Sequence, residues 1–277
     1  MSSEAWLFVP GDSGRKIEKA FGTAAQAIIL DLEDGVAPAA KRQARETVLT
    51  TLSQLSQETR AAKKIVLRCN AVSSLFFPED LKLAGHLKVD TLMVPKCEGA
   101  RDIEAVLQVL PEVTIVPLIE SARGVVRLEE IVRAATCIRR VAFGAVDFAL
   151  DLDVDWTREG DERRFAMGQL VLLSRALDLD APLGAVFPVT DDREAFLSDV
   201  RMEKRFGFSG KMTIHPRQIE WLVEANQLTP EELAWSRQVV EAFEAAGTGA
   251  IQVDGRLVDL PVYRNARRRL RFDSPSR

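Results

Sequence analysis

The sequence predicts an α/β fold, a closed (β/α)8 barrel with a C-terminal helical and lid extension. Eight short apolar runs recur along the chain, each closes on a polar, proline or glycine residue, and stretches of helical periodicity lie between them. Parallel strands covered on both faces read as continuous apolar runs. Eight strand–helix repeats within 277 residues fit a closed barrel better than the rival open, doubly wound sheet.

The first run, 5–9, ends at Pro10-Gly11-Asp12. The second, 27–30, ends at Asp31, the third, 65–67, at Arg68-Cys69-Asn70, and the fourth, 91–94, at Pro95-Lys96. The fifth, 114–119, ends at Glu120, the sixth, 141–146, at Asp147, the seventh, 183–187, at Pro188, and the eighth, 211–214, at His215. Amphipathic segments at 41–55, 100–110, 124–135, 164–177 and 192–206 supply helices between them. The barrel is thus expected over 1–216, with 217–277 as the C-terminal extension and lid segment. That extension reads as a helical stretch around Trp221, a helix over 230–246, a Gly247-Thr248-Gly249 break and a small hairpin around Asp254-Gly255. A basic helix with Arg264, Arg267, Arg268 and Arg269 follows, and 273–277 reads as a frayed end.

Composition narrows the function. Lys and Arg number 37 against 41 Asp and Glu, a net charge of −4 with a pI near 5.5, so no positive field draws in nucleic acid. With 47% hydrophobic and 28% charged residues the chain has the balance of a soluble, folded protein. No apolar run approaches the ~18 residues of a membrane span, and the N-terminus lacks the pattern of an export signal. Cys69, Cys97 and Cys137 are odd in number and widely spaced, which fits small core residues in a reducing cytoplasm better than disulfides or a zinc knuckle. With only His86 and His215, a three-histidine zinc site cannot be built, and G-x-S-x-G, P-loop and G-x-G-x-x-G motifs are absent.

A barrel of this kind carries its active site on the loops after the strand C-termini. Asp31, Glu33, Asp34, Arg68, Asn70, Lys96, Glu120, Asp147 and His215 therefore fall on one rim. Oxygen-only ligands suit a hard cation such as Mg²⁺, which takes one or two protein carboxylates, and Glu120 and Asp147 end consecutive runs. Singly, each has a plainer reading: Glu120 supports the helix starting near Ser121, and Asp147 caps the segment after it. Asp31, Glu33 and Asp34 offer either a metal-water shell or partners for Arg68, whose charge beside a core needs a carboxylate, from protein or substrate. His215 ahead of Pro216 reads as a helix start, and the run Arg267 to Arg269 as a solvated helix face.

Together these segments resemble the citrate lyase β-subunit-like family, part of the HpcH/HpaI aldolase group. The resemblance rests on Leu7-Phe8-Val9-Pro10-Gly11-Asp12 and, above all, on Ala27-Ile28-Ile29-Leu30-Asp31-Leu32-Glu33-Asp34-Gly35-Val36-Ala37-Pro38 followed by Lys41 and Arg45. Arg68-x-Asn70, Val94-Pro95-Lys96, Ile119-Glu120-Ser121-Ala122-Arg123-Gly124 and Phe143-Gly144-Ala145-x-Asp147 continue it. So does Gly207-Phe208-x-Gly210-Lys211-x-x-Ile214-His215-Pro216-x-Gln218-Ile219, all in order between about 5 and 270. The resemblance implies a TIM barrel, assembled as a homotrimer or homohexamer, that binds Mg²⁺ and acts on acyl-CoA thioesters. By position it makes Glu120 and Asp147 the metal ligands and Arg68 a substrate-binding and catalytic group. Glu120, Asn70 and Lys96 join Arg68 in substrate binding, and Asp31, Glu33 and Asp34 stand behind them. The segment 254–261 looks like the lid of malyl-CoA and citramalyl-CoA lyases, which gives Asp259 a catalytic role across a subunit boundary. Two departures stand out: Ala185-Val186-Phe187-Pro188 replaces an acid many relatives carry at the end of the seventh strand, and Val146 stands where Glu is common.

The activity expected is Mg-dependent cleavage of a carboxylated 3-hydroxyacyl-CoA into acetyl-CoA and a 2-oxoacid. The alternatives are a citryl-CoA lyase β subunit of a multisubunit citrate lyase, an aldolase acting on a free 2-oxo-4-hydroxy acid, and, in a different class, a catalytically silent assembly subunit.

Overall fold

The structure, a computed structural model, describes residues 4–247 and 249–273. In chain order the first half comprises β1 (Glu4–Pro10), α1 (Gly14–Phe21), β2 (Ala27–Asp31), α2 (Lys41–Gln54), α3 (Gln57–Ala61), β3 (Lys64–Arg68), α4 (Phe77–Leu87), β4 (Thr91–Val94), α5 (Ala100–Leu107) and β5 (Thr114–Ile119). The second half comprises α6 (Ala122–Val126), α7 (Leu128–Arg133), β6 (Ala142–Phe143), α8 (Ala145–Asp151), α9 (Arg164–Ala176), β7 (Leu183–Gly184), α10 (Arg193–Phe206) and β8 (Gly210–Thr213). After these come α11 (Pro216–Ala225), α12 (Pro230–Ala246), β9 (Ile251–Val253), β10 (Arg256–Val258) and α13 (Leu260–Asp273).

Strands β1 to β8 pair in parallel with their sequence neighbours, and β1 pairs with β8, so the expected eight-stranded TIM barrel is closed. Every strand sends an apolar side chain into its interior: Trp6, Ala27, Ile29, Val66, Met93, Val116, Leu118, Ala142, Leu183 and Met212 pack as one cluster. Side chains alternate along a strand, so the next inward positions after Ile29, Val66 and Leu118 are Asp31, Arg68 and Glu120. The sequence places charge where these three strands leave the packed core.

Two sequence-based expectations change. The sixth run, read as 141–146, yields a two-residue β6, because the chain turns at Gly144 and Ala145 and Val146 already belong to α8. The described residues also divide into two compact units after Leu222, later than the 216/217 boundary expected, because Gln218, Ile219 and Leu222 of α11 are buried. Pro216 opens α11, and His215 Nδ1 accepts a hydrogen bond from Arg217 N, 3.2 Å, the helix-start role read for it.

The second unit, from Val223, has a small core of its own, in which Val239, Val253, Val258 and Ala266 pack with Trp235, Phe243 and Ile251. Its hairpin pairs Val253 with Arg256 around Asp254-Gly255, both in the left-handed region at φ 45° and 74°, as a two-residue turn of that twist requires. The frayed end expected at 273–277 falls outside the described residues from 274 onward. Among the described residues no helix is long and apolar enough to cross a membrane.

Candidate active site

The site begins with the loop after β2. Asp31 folds back on it, its Oδ1 accepting from Glu33 N and its Oδ2 from Gly35 N, both at 2.8 Å. The same carboxylate takes Arg68 from β3 in a bidentate pair, Nε to Oδ1 and Nη2 to Oδ2, each 2.7 Å. Two parallel charge-assisted bonds fix the guanidinium plane. Its third nitrogen, Nη1, lies 3.1 Å from Glu33 Oε2, and its face rests on the Phe8 ring with 4.6 Å to the centroid. Asp31 is thus a partner of Arg68 and of the loop backbone, the second of the two readings the sequence left open.

Lys96, after β4, has a left-handed backbone at φ 51° and pairs its Nζ with Glu33 Oε1 and, at 3.2 Å, with Asp34 Oδ2. Burial raises the Glu33 carboxyl pKa while Arg68 and Lys96 pull it down. Asp34 is exposed.

Glu120 directly follows β5 and is buried, yet its Oε2 has no hydrogen-bond partner. The helix-supporting reading of Glu120 does not hold: α6 is capped by Ser121, whose Oγ accepts from Gly124 N, and Ala122 N donates to Asp151 Oδ2 at 2.7 Å. Burial pushes the Glu120 carboxyl up to about 8, with repulsion from Asp147 and Glu33 adding to it against the pull of Arg68 and Lys96. Asp147 sits in the first turn of α8 on the neighbouring strand end, half-buried. Gly144 makes the turn between them possible, since a Cβ there would lie 2.5 Å from Glu120 Cγ. A buried carboxylate oxygen without a hydrogen-bond donor, next to a second carboxylate, could hold a cation. Among the described residues no group of three His, Cys, Asp or Glu that could hold a metal ion forms; Mg²⁺ is commonly held through one or two carboxylates.

Asn70 is committed to the framework. Its Nδ2 donates to Leu32 O at 2.9 Å and to Asp80 Oδ2 at 2.6 Å, and its backbone N donates to the same Asp80 oxygen. Of the groups behind it, sequence reasoning named Lys41 and Arg45 only as part of the family motif and missed Asp80. Asp80 is fully buried and holds Arg45 Nη1 at 2.9 Å, and Lys41 Nζ donates to Leu32 O at 2.7 Å and Glu33 O at 2.6 Å. A signal was present: Lys41 shares the buried stripe of α2 with Ala44, Val48, Thr51 and Leu52, and Asp80 that of α4 with Phe77, Leu81 and Ala84. A charge on an apolar stripe needs an inward partner.

Asp259, the remaining predicted residue, belongs to the second unit. There its Oδ1 accepts from Val262 N at 3.2 Å, at the start of α13.

Fold and site together define a TIM-barrel enzyme whose mouth carries the carboxylates of Glu120 and Asp147 and a guanidinium fixed by Asp31. The HpcH/HpaI aldolase/citrate lyase family model matches residues 4–216, and the chain belongs to that family of carbon–carbon lyases. It is 31% identical over 256 residues to a (3S)-malyl-CoA thioesterase of Cereibacter sphaeroides, covering 91% of this chain and 88% of the relative. To the citrate lyase β subunit of Escherichia coli K12 it is 30% identical over 276 residues, 94% of this chain and 90% of the relative. A crystal structure of CitE from Mycobacterium tuberculosis in complex with magnesium, acetoacetate and coenzyme A is similar at a TM-score of 0.86 and 31% identity, over 98% of each chain.

Proposed function

We propose that the protein is a Mg²⁺-dependent lyase that cleaves a carboxylated 3-hydroxyacyl-CoA of the malyl-CoA or citramalyl-CoA type into acetyl-CoA and a 2-oxoacid, in the cytoplasm. The observation that carries this reading is the orphaned, buried Oε2 of Glu120 beside Asp147 and across from Arg68. Glu120 and Asp147 would hold the cation. Bound there, Mg²⁺ supplies Lewis acidity toward the hydroxyl and carboxylate oxygens of a substrate.

In this reaction the hydroxyl proton leaves, the bond between C2 and C3 breaks, its electron pair passes to the thioester as an enolate, and that enolate takes a proton at carbon. Arg68 is suited to the negative charge of the enolate or the oxoacid carboxylate: it cannot lose its proton, and its plane is fixed by Asp31. Lys96, half-exposed on the same rim, is proposed to meet a substrate carboxylate. Asn70 was expected to bind substrate; with Nδ2 spent on Leu32 O and Asp80, its proposed role is to hold the loop. Asp259 is proposed as the proton-transferring carboxylate, donated by a second copy of the chain in a homotrimer or homohexamer. Asp31, Glu33 and Asp34 stand behind the first contacts and set their charge.

An acetyl-CoA release assay with malyl-CoA and citramalyl-CoA, with Mg²⁺ and with EDTA, tests the reading, and free thiol is followed in parallel. Acetyl-CoA formed with Mg²⁺ and lost on chelation supports a lyase. Free CoA without acetyl-CoA means thioester hydrolysis and overturns it.

A further inference from the structure

The rim of the barrel is divided by chemistry. From β2 to β6 its inward or loop positions are charged: Asp31, Glu33, Arg68, Lys96, Glu120 and Asp147. From β7 through β8 to β1, which are neighbours in the closed sheet, the side chains that follow the inward-facing core residues are the apolar Val186, Ile214 and Phe8. Val186, just past β7, packs on the interior cluster and is only partly buried, and so is Phe8 of β1. Ile214, just past β8, continues the inward register of Met212 and is 40% exposed. Gln218, buried in α11, ties the two strand ends together: its Oε1 accepts from Ile214 N at 2.9 Å while its Nε2 donates to Phe187 O at 2.9 Å and Val189 O at 3.3 Å. Phe8, with Arg68 on its face, is the seam between the two halves.

The ionisable residues near these three strand ends are exposed or held by other partners. His215 turns its Nδ1 to the start of its own helix, Asp12 and Asp191 are exposed, Asp192 caps α10 and pairs with Arg158 at 2.6 Å, and Glu203, which accepts from Ala185 N at 2.9 Å, is paired with Lys211.

We propose that Val186 and Ile214, with Phe8 at the seam, are specificity-determining residues of the mouth. They select a substrate whose carbinol carbon carries a small alkyl group over one carrying hydrogen or a second carboxylate. The inference rests on the lyase reading above and names the substituent that site accepts. A carboxylate against Val186 and Ile214 gives up its hydration without a partner, whereas a methyl group there leaves water for apolar contact.

Three thioesters differ only at that carbon: malyl-CoA has hydrogen, citramalyl-CoA methyl and citryl-CoA carboxymethyl. Wild-type kcat/KM is expected to favour methyl over hydrogen by roughly tenfold, the scale of one methyl in an apolar pocket, and to be lowest for carboxymethyl. Val186→Thr keeps the side-chain shape and adds a hydroxyl, and Val186→Ala shortens it; both should narrow the methyl preference with little change in melting temperature. Citryl-CoA cleaved as fast as citramalyl-CoA, or a ratio unmoved in both variants, would overturn the proposal. If the wild type cleaves none of the three, the lyase reading fails and calorimetric binding of the corresponding oxoacids with Mg²⁺ decides the wall by itself. Pyruvate bound more tightly than glyoxylate and oxaloacetate, a preference lost in Val186→Thr, supports it; equal or reversed affinities overturn it.

Discussion

Glu120 and Gly144 show how much of the site hangs on single atoms. A carboxyl raised to about 8 by burial and by its acidic neighbours binds its proton in the folded, metal-free protein at pH values where the unfolded chain has lost it. Stability of the metal-free protein should therefore fall as pH rises from about 4.5 to about 8, and Glu120→Gln should flatten that slope in thermal melts. A cation displaces the same proton, so Mg²⁺ affinity measured by calorimetry should climb over the upper part of this range and level off above about 8. Gly144→Ala tests the packing: its methyl group would sit 2.5 Å from Glu120 Cγ, so the carboxylate must move. We expect a folded protein with Mg²⁺ affinity reduced at least about tenfold, the scale of lost ligand positioning. At this scale Glu120, Asp147 and Arg68 were legible in the sequence as polar residues ending apolar runs. Gly144 was legible only as part of a family motif, because its reason is a neighbour on another strand.

At the scale of elements, the loop after β2 is held from behind by α2. Lys41 donates to two of its carbonyls, while Arg45 works through Asp80 and Asn70 on the carbonyl of Leu32. Lys41→Met keeps much of the buried volume and removes the donor. It should speed hydrogen exchange of the Glu33 and Gly35 amides, which Asp31 holds, and lower kcat/KM by roughly tenfold to a hundredfold through misplacement of Arg68 and Lys96; wild-type exchange and rates would refute the strut. A second buried ionic group lies outside the barrel wall. Lys211 of β8 pairs with Asp199 and, at 2.8 Å, with Glu203 of α10, and Arg163 reaches Asp199 at 2.6 Å. Lys211→Met leaves two buried carboxylates short of a cation and should cost about 3–5 kcal/mol in denaturant unfolding, far more than a surface pair. The helices themselves were readable from periodicity, but not the charges on their buried stripes, since a Lys or Asp in such a stripe does not say which loop it meets.

At the scale of the whole molecule, the sequence-read hairpin and helices of the C-terminal unit are present, with Asp259 between β10 and α13. If Asp259 serves catalysis from a second copy, Asp259→Asn should fold with its C-terminal core intact and lose turnover. Co-expression with the metal-ligand variant Asp147→Ala should then restore part of the activity, because mixed oligomers contain some sites with both groups intact. No recovery in verified mixed oligomers would exclude donation between subunits.

What the sequence by itself determined is the barrel and the order of groups around its mouth, since strand period, run length and strand-end polarity are local properties that survive without knowledge of any contact. What only the tertiary structure decided is pairing: that Asp31 meets Arg68, that Asn70 faces Asp80, and that Glu120 Oε2 is left without a donor. Those contacts join residues far apart in the chain, as Lys96 and Asp34 are, and they exist because closing eight strands into a ring brings their ends together.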